Sequence, residues 1–214
     1  DLGSLLSAVG GPLDLAAALY VMRNVCEGLA FAHDALGADG APLELVHRDI
    51  NPQNILISQG GAVKIADFGI AKVAQRHRQT RAGVLKGKFG YLSPEQARGQ
   101  RVDRRCDVYA LGLLLFEMTT GSSAIPDGPE AQMLEAAAHG LLRQPREVDA
   151  EYPRQLGDIF RRCTTWRPED RYQSVPELLE ELLEFQMDKR LLATPKRLAE
   201  LVGDHFHPPA NRHT

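Results

Sequence analysis

Residues 106–121 read CDVYALGLLLFEMTTG. The run is apolar nearly all round, so as a helix it has no face to give to water and must lie buried. Gly121 is its stop signal. Its apolar stretch, 109–118, contains Gly112 and is too short to span a bilayer. A chain built on such a helix is expected to be mainly helical, and the flanking sequence supplies partners. Residues 13–33 carry Leu15, Leu19, Met22, Val25, Leu29 and Ala32 at helical spacing, with Pro12 suited to the first turn. Further helices are expected over 130–139, 152–164, 175–192 and 195–205, the last with Thr194 as N-cap and Pro195 at the first helical position.

Composition narrows the function classes. The 214 residues are 43% apolar and 25% charged, an ordinary globular balance, and the net charge of −3 leaves no basic footprint for nucleic acid. Cys26, Cys106 and Cys163 are widely spaced and odd in number, so neither a cysteine-held zinc site nor a disulfide framework is expected. A reducing, cytoplasmic setting fits. No signal-peptide pattern opens the chain, which begins with DLGSLLSAVGG as though inside a domain.

The chemistry concentrates around one small hairpin. Strands are expected over 55–58 and 62–66, joined by Gln59, Gly60 and Gly61. HRDINPQN precedes the first strand, and KIADFGIAK begins within the second and places Asp67 at its end. A hairpin brings its outer ends together, so Asp49 and Asn54 are expected beside Asp67. Asn54 and Asp67 are hard oxygen donors of the kind Mg²⁺ takes alongside substrate phosphates. Asp49 is then free to accept a proton from an incoming hydroxyl. Metal ions that neutralise charge and a base that orients the nucleophile are the needs of phosphoryl transfer. Residues 67–90 are polar, basic and poor in periodicity, and so long a connection is usually functional or mobile.

Four motifs in order, HRDINPQN, DFG, YLSPEQARG and DVYALGLLLFEMTTG, resemble the C-terminal lobe of a bacterial, eukaryotic-like (Hanks-type) serine/threonine protein kinase. RPEDRYQS resembles the segment whose Arg pairs with the Glu ending the activation segment. The resemblance implies a helical lobe with a small β-hairpin at the active-site edge, occupying residues 1–192. An extension helix and tail would follow over 193–214. It implies ATP and Mg²⁺ (or Mn²⁺) as cofactors and a protein substrate. Asp49 would be the catalytic base, and Asn54 and Asp67 the metal ligands. Asp1, Gln53, Asn54, Leu56 and Asp67 would meet the nucleotide, with Leu56 as floor under the adenine and Asp1 near the ribose. His47 and Phe68 would stack, anchored by Asp107, with Gly69 completing the metal loop. Glu95 and Arg171 would form a buried ion pair. Arg48 would anchor a phosphorylated activation loop. Thr80 is the lone Ser or Thr between Asp67 and Tyr91; it reads either as that phosphosite or as a solvated loop threonine.

Several features depart from the family pattern. Asn51 stands where such kinases usually carry Lys, and Lys88 where they usually carry Thr. Lys88 could place its ammonium in the space left by the shorter Asn51, which would make it catalytic. The loop over 34–44 is longer than usual and is expected on the surface, away from the nucleotide. No glycine-rich phosphate loop or nucleotide-gripping Lys strand precedes Asp49, so an N-terminal lobe is the missing partner, and the isolated 214 residues are expected to be inactive. A downstream segment could attach the full-length protein to a membrane, although no membrane segment is read here. Two other readings stay open: a pseudokinase scaffold, and a small-molecule phosphotransferase, which would lack the SPE segment and its Arg. If Lys88 serves the transition state, Lys88→Ala in the full-length enzyme lowers turnover by about a hundredfold; near wild-type turnover in a steady-state assay rules the substitution idea out.

Overall fold

The computed structural model describes residues 1–68 and 89–206. Helix α1 (Leu2–Val9) opens on Asp1, whose carboxylate accepts the Ser4 amide at 2.8 Å, and ends at Gly10 in the left-handed region. Helix α2 (Leu15–His33) starts later than its periodicity suggests. Asp14 is its N-cap, accepting the Ala17 amide, whereas the Leu13 amide goes to the Met118 carbonyl at 2.7 Å. Pro12 therefore lies ahead of the helix rather than in its first turn. Among the described residues α2 is the helix long and apolar enough to cross a membrane, yet its apolar side is packed within the core. The loop after it folds back on itself at the surface, with the Leu43 amide donating to Ala35 at 2.9 Å.

A 3₁₀ turn (Pro52–Asn54) leads into β1 (Ile55–Ile57), which pairs antiparallel with β2 (Val63–Ile65) in the register Ile55 to Ile65. After the undescribed stretch come α3 (Pro94–Ala97) and α4 (Arg105–Thr120). The remaining helices are α5 (Glu130–His139), α6 (Pro145–Val148), α7 (Arg154–Cys163), α8 (Val175–Asp188) and α9 (Pro195–Phe206).

Helix α4 is the pillar that its sequence demands. Every residue from Cys106 to Phe116 is buried, and Met118 with them. Its Leu111, Leu114 and Leu115 join Met22, Val25 and Leu29 of α2, Ile159 of α7 and Phe185 of α8 in the larger core. Tyr109, Leu113 and Phe116 face a second cluster with Ile125, Met133 of α5 and Phe160 of α7. Gly121 then closes the helix at φ 72, donating its amide to Glu117. A Cβ there would also meet the backbone of Gly11 and Pro12, so the stop is fixed by two constraints at once.

Helix α8 is shorter than the expected 175–192. It stops at Asp188 because Arg190 takes a left-handed conformation (φ 53) and the Leu191 amide turns back to Gln186 at 3.0 Å. That reversal returns the chain to the body. Helix α9 buries Leu198 and Val202 against the same core, packs on α1 and α2, and pairs Arg197 with Asp14 at 3.0 Å. Gly61, at φ 80 in the hairpin turn, lies so close to the Pro195 carbonyl that no Cβ fits between them. As far as Phe206, then, the chain after α8 packs on the lobe.

The sequence offers no local reason for Gly112 inside so apolar a helix. The reason is the crossing of α4 and α7: a Cβ on Gly112 would lie 2.6 Å from the Cβ of Cys163 and 2.8 Å from Cγ2 of Thr164. Gly112→Val should force the two helices apart and cost about 1–3 kcal/mol or more. Chemical denaturation measures it; a variant of wild-type stability would show that the two helices can part at this crossing without cost.

Candidate active site

Asp107 organises the site. It sits in the first turn of α4, is 1% exposed, and would be costly to bury without partners. Its Oδ2 accepts the His47 amide at 2.8 Å and its Oδ1 the Arg48 amide at 2.7 Å. His33, at the last turn of α2, brings Nε2 to Oδ2 at 2.9 Å. Three donors from two other segments thus converge on one carboxylate. The loop from His47 to Asn54 is thereby tied to the core through its backbone at His47 and Arg48.

The side chains then fall into place. The Asp49 amide donates to Nδ1 of His47 at 3.3 Å, so Nε2 carries the proton and donates to the Ala66 carbonyl at 3.0 Å. The His47 ring lies against Phe68, with centroids 4.6 Å apart and planes tilted by 56°. Arg48 and Asp67 both adopt left-handed backbone conformations, at φ 65 and φ 56. Such positions in non-glycine residues are uncommon and persist where surrounding bonds over-determine them.

Asn54 ties the two loops together. Its Nδ2 donates to the Asp49 carbonyl at 2.7 Å and to Oδ2 of the Asp49 carboxylate at 3.2 Å. Its own carbonyl accepts the Ala66 amide at 2.8 Å. Asp67 follows Ala66 directly, so it stands within a residue's length of Asn54, with its side chain exposed. Because the amide nitrogen of Asn54 is committed to Asp49, Oδ1 is the end of that side chain left for a cation. Asn54 Oδ1 and the Asp67 carboxylate could together offer oxygen donors of the kind Mg²⁺ takes when phosphates complete its shell. Among the described residues no cluster of three His, Cys, Asp or Glu could hold a metal by itself, which separates this arrangement from a zinc-type cage.

Asn51 is buried and turned inward. Its Nδ2 donates to the Asp49 carbonyl at 2.9 Å and its Oδ1 caps the 3₁₀ turn by accepting the Gln53 amide at 3.0 Å. It braces the loop rather than reaching out of it. Gln53 lies against Gly3 of α1. Asp1 uses its carboxylate as the α1 cap, bonding both the amide and hydroxyl of Ser4. Leu56 is 48% exposed on the open side of β1, an apolar side chain at the active-site edge. Gly69, Thr80 and Lys88 lie outside the described residues.

Glu95 and Arg171 form a bidentate pair, Nη1 to Oε1 at 2.8 Å and Nη2 to Oε2 at 2.9 Å. The remaining guanidinium hydrogens go to the carbonyls of Thr165, Arg105 and Trp166 at 2.7, 3.1 and 3.0 Å. All five donors are used, and the Tyr109 ring lies beneath the charge at 4.8 Å. Burial pushes the Glu95 carboxyl up, and the hydrogen bonds and charge of Arg171 more than reverse this, leaving it below its ordinary value. Next to Glu95, Gln96 donates Nε2 to the Arg48 carbonyl at 2.9 Å. Neither His33 nor Gln96 stands out in the sequence. One reads as an ordinary helix-end histidine, the other as a polar residue after a proline-led turn.

The sequence model of the protein kinase domain matches residues 2–199, and the chain belongs to that family. Its relatives include a protein named Tyrosine-protein kinase MasK, from Myxococcus xanthus, 41% identical over 188 residues, which cover 88% of this chain and 29% of that protein. Serine/threonine-protein kinase Pkn1 of Myxococcus xanthus is 40% identical over 182 residues, covering 81% of this chain and 25% of its own length. Serine/threonine-protein kinase PknB of Mycolicibacterium smegmatis is 33% identical over 207 residues, covering 94% of this chain and 32% of its own length. The chain thus spans a quarter to a third of these curated relatives.

Replacing Arg171 by Ala leaves the buried Glu95 carboxylate without its partner and takes a donor from three carbonyls, and should cost about 3–5 kcal/mol. Lys cannot supply the planar fork and should rescue little. The wild-type pair should also carry an acid signature. Its contribution is complete above the unfolded carboxylate value of 4.5 and is lost as pH falls through the lower folded-state value. Denaturant titrations at several pH values test both; an Arg171→Ala protein of wild-type stability at neutral pH would contradict them.

Proposed function

We propose that this chain is the catalytic C-terminal lobe of a protein kinase that transfers the γ-phosphate of ATP to a serine or threonine hydroxyl of a protein. The observation that carries the reading is the double use of Asn54. Its side chain holds Asp49 while its backbone carbonyl holds Ala66, next to Asp67. A proton acceptor and two metal-type oxygen donors therefore share one braced unit. In this reading Asp49 accepts the hydroxyl proton as the oxygen bonds to the phosphorus and the bond to ADP breaks. Asn54 and Asp67 would hold Mg²⁺, which neutralises charge on the phosphates. Leu56 offers an apolar floor to the adenine, and an N-terminal lobe would supply the roof.

The Glu95–Arg171 pair favours a polypeptide acceptor over a small molecule, because it anchors the segment on which a substrate chain would rest. Retention of Asp49, Asn54 and Asp67 together favours catalysis over a scaffold role. A tyrosine acceptor is the second reading, favoured by the printed name of the 41%-identical relative. The three cysteines are free and buried, in keeping with a reducing cytoplasmic location; attachment to a membrane through a downstream segment is compatible with it.

The full-length protein, supplied with labelled ATP, Mg²⁺ and a general protein substrate, should transfer label to serine or threonine. Asp49→Asn should reduce transfer by roughly 10²–10⁴-fold while nucleotide binding persists. Nucleotide binding without any transfer by the wild type would make it a scaffold, and label found on tyrosine alone would overturn the acceptor assignment.

A further inference from the structure

We propose that Gln96 is a positioning residue for Asp49, acting through the peptide bond between Arg48 and Asp49; this rests on the kinase reading above. That peptide is gripped at both ends. Its N–H belongs to Asp49 and donates to Nδ1 of His47 at 3.3 Å. Its carbonyl belongs to Arg48 and accepts Nε2 of Gln96 at 2.9 Å. One residue back, the Arg48 amide is held by Asp107 at 2.7 Å. Arg48 sits at φ 65, a conformation a non-glycine residue keeps only when its neighbours enforce it. Asp107 enforces it from the amide side and Gln96 from the carbonyl side. Rotating this peptide would turn the Asp49 side chain away from Asn54.

The orientation of the Gln96 amide is forced by its partners. Oε1 accepts the Ser93 amide and the Ser93 hydroxyl, each at 3.1 Å. Flipping the amide would set a donor against the Ser93 N–H and an acceptor against the Arg48 carbonyl. Gln96 therefore does two jobs: it completes the capping box of α3 and it clamps the catalytic loop. Its neighbour Glu95 is locked to Arg171. The Glu95–Arg171 pair, which seats α3 independently of the Ser93 hydroxyl, consequently also places the peptide that aims Asp49, which couples the seating of the substrate-side segment to the geometry of the base.

The two jobs can be separated in the full-length protein. In Gln96→Glu the carboxylate still accepts from Ser93 but has no hydrogen for the Arg48 carbonyl. In Ser93→Ala the hydroxyl cap goes while the clamp stays. Gln96→Glu should lower kcat about tenfold or more, leave KM for ATP within about twofold, and speed hydrogen exchange of the Arg48 and Asp49 amides. Ser93→Ala should keep kcat and that exchange near wild type, whatever its effect on the thermal midpoint. Wild-type kcat in Gln96→Glu overturns the proposal, and so does a Ser93→Ala protein that reproduces the whole loss. If the unmodified protein transfers no phosphate, the proposed function has failed instead. The exchange measurement then decides the clamp alone: faster exchange in Gln96→Glu upholds it and unchanged exchange overturns it.

Discussion

A single carboxylate on which three donors from other segments converge is the constraint on which the site depends. Asp107 can be buried only because the His47 and Arg48 amides and the His33 imidazole converge on it. Those amides in turn could not be so deep without an acceptor. Each side of the arrangement would be costly alone and is stable in company. The all-round apolar character of α4 serves this end, since it seats the first turn, and Asp107 with it, at a fixed depth among α2, α7 and the loop from His47 to Asn54.

From there the bonds run in a closed circuit. Asp107 holds Arg48, Arg48 holds Gln96 through its carbonyl, and Gln96 is bonded by chain to Glu95. Glu95 is locked by Arg171, which returns a hydrogen to the Arg105 carbonyl at the start of α4. A buried ion pair contributes little net stability once desolvation is counted. Its value here is placement: a guanidinium with five satisfied donors tolerates one position, and α3 inherits it. Left-handed backbone at Arg48 and Asp67 is strain that this circuit and the hairpin hold in place.

Much of this was legible in the sequence because it is written at short, fixed spacing. His47, Arg48, Asp49 and Asn54 fall in one octapeptide, and Asp67, Glu95, Asp107 and Arg171 each sit in a motif whose neighbours identify it. The helices over 130–139 and 195–205 were readable from periodicity and cap residues, matching α5 and nearly matching α9. The start of α2 and the end of α8 were not. The Leu13 amide is drawn off by Met118, and the Arg190 turn forms where the chain folds back; both are contacts between parts distant in sequence or dictated by them. His33 and Gln96 escaped for the same reason. Their roles are bonds to residues 74 and 48 positions away.

Local chemistry by itself determined that α4 is buried, that a hairpin joins two acid-bearing loops, and that those loops carry oxygen-bearing side chains. Those properties follow from side-chain polarity and from periods of two and 3.6 residues, which any short window displays. Only the tertiary structure decided how the loops are braced: why Gly112 must lack a Cβ where α7 crosses, why Asn51 turns inward, and which polar residue clamps the peptide before Asp49. These are matters of which atoms meet across the core. Close packing and hydrogen-bond geometry settle them at the scale of a few tenths of an ångström, and no spacing along the chain records that.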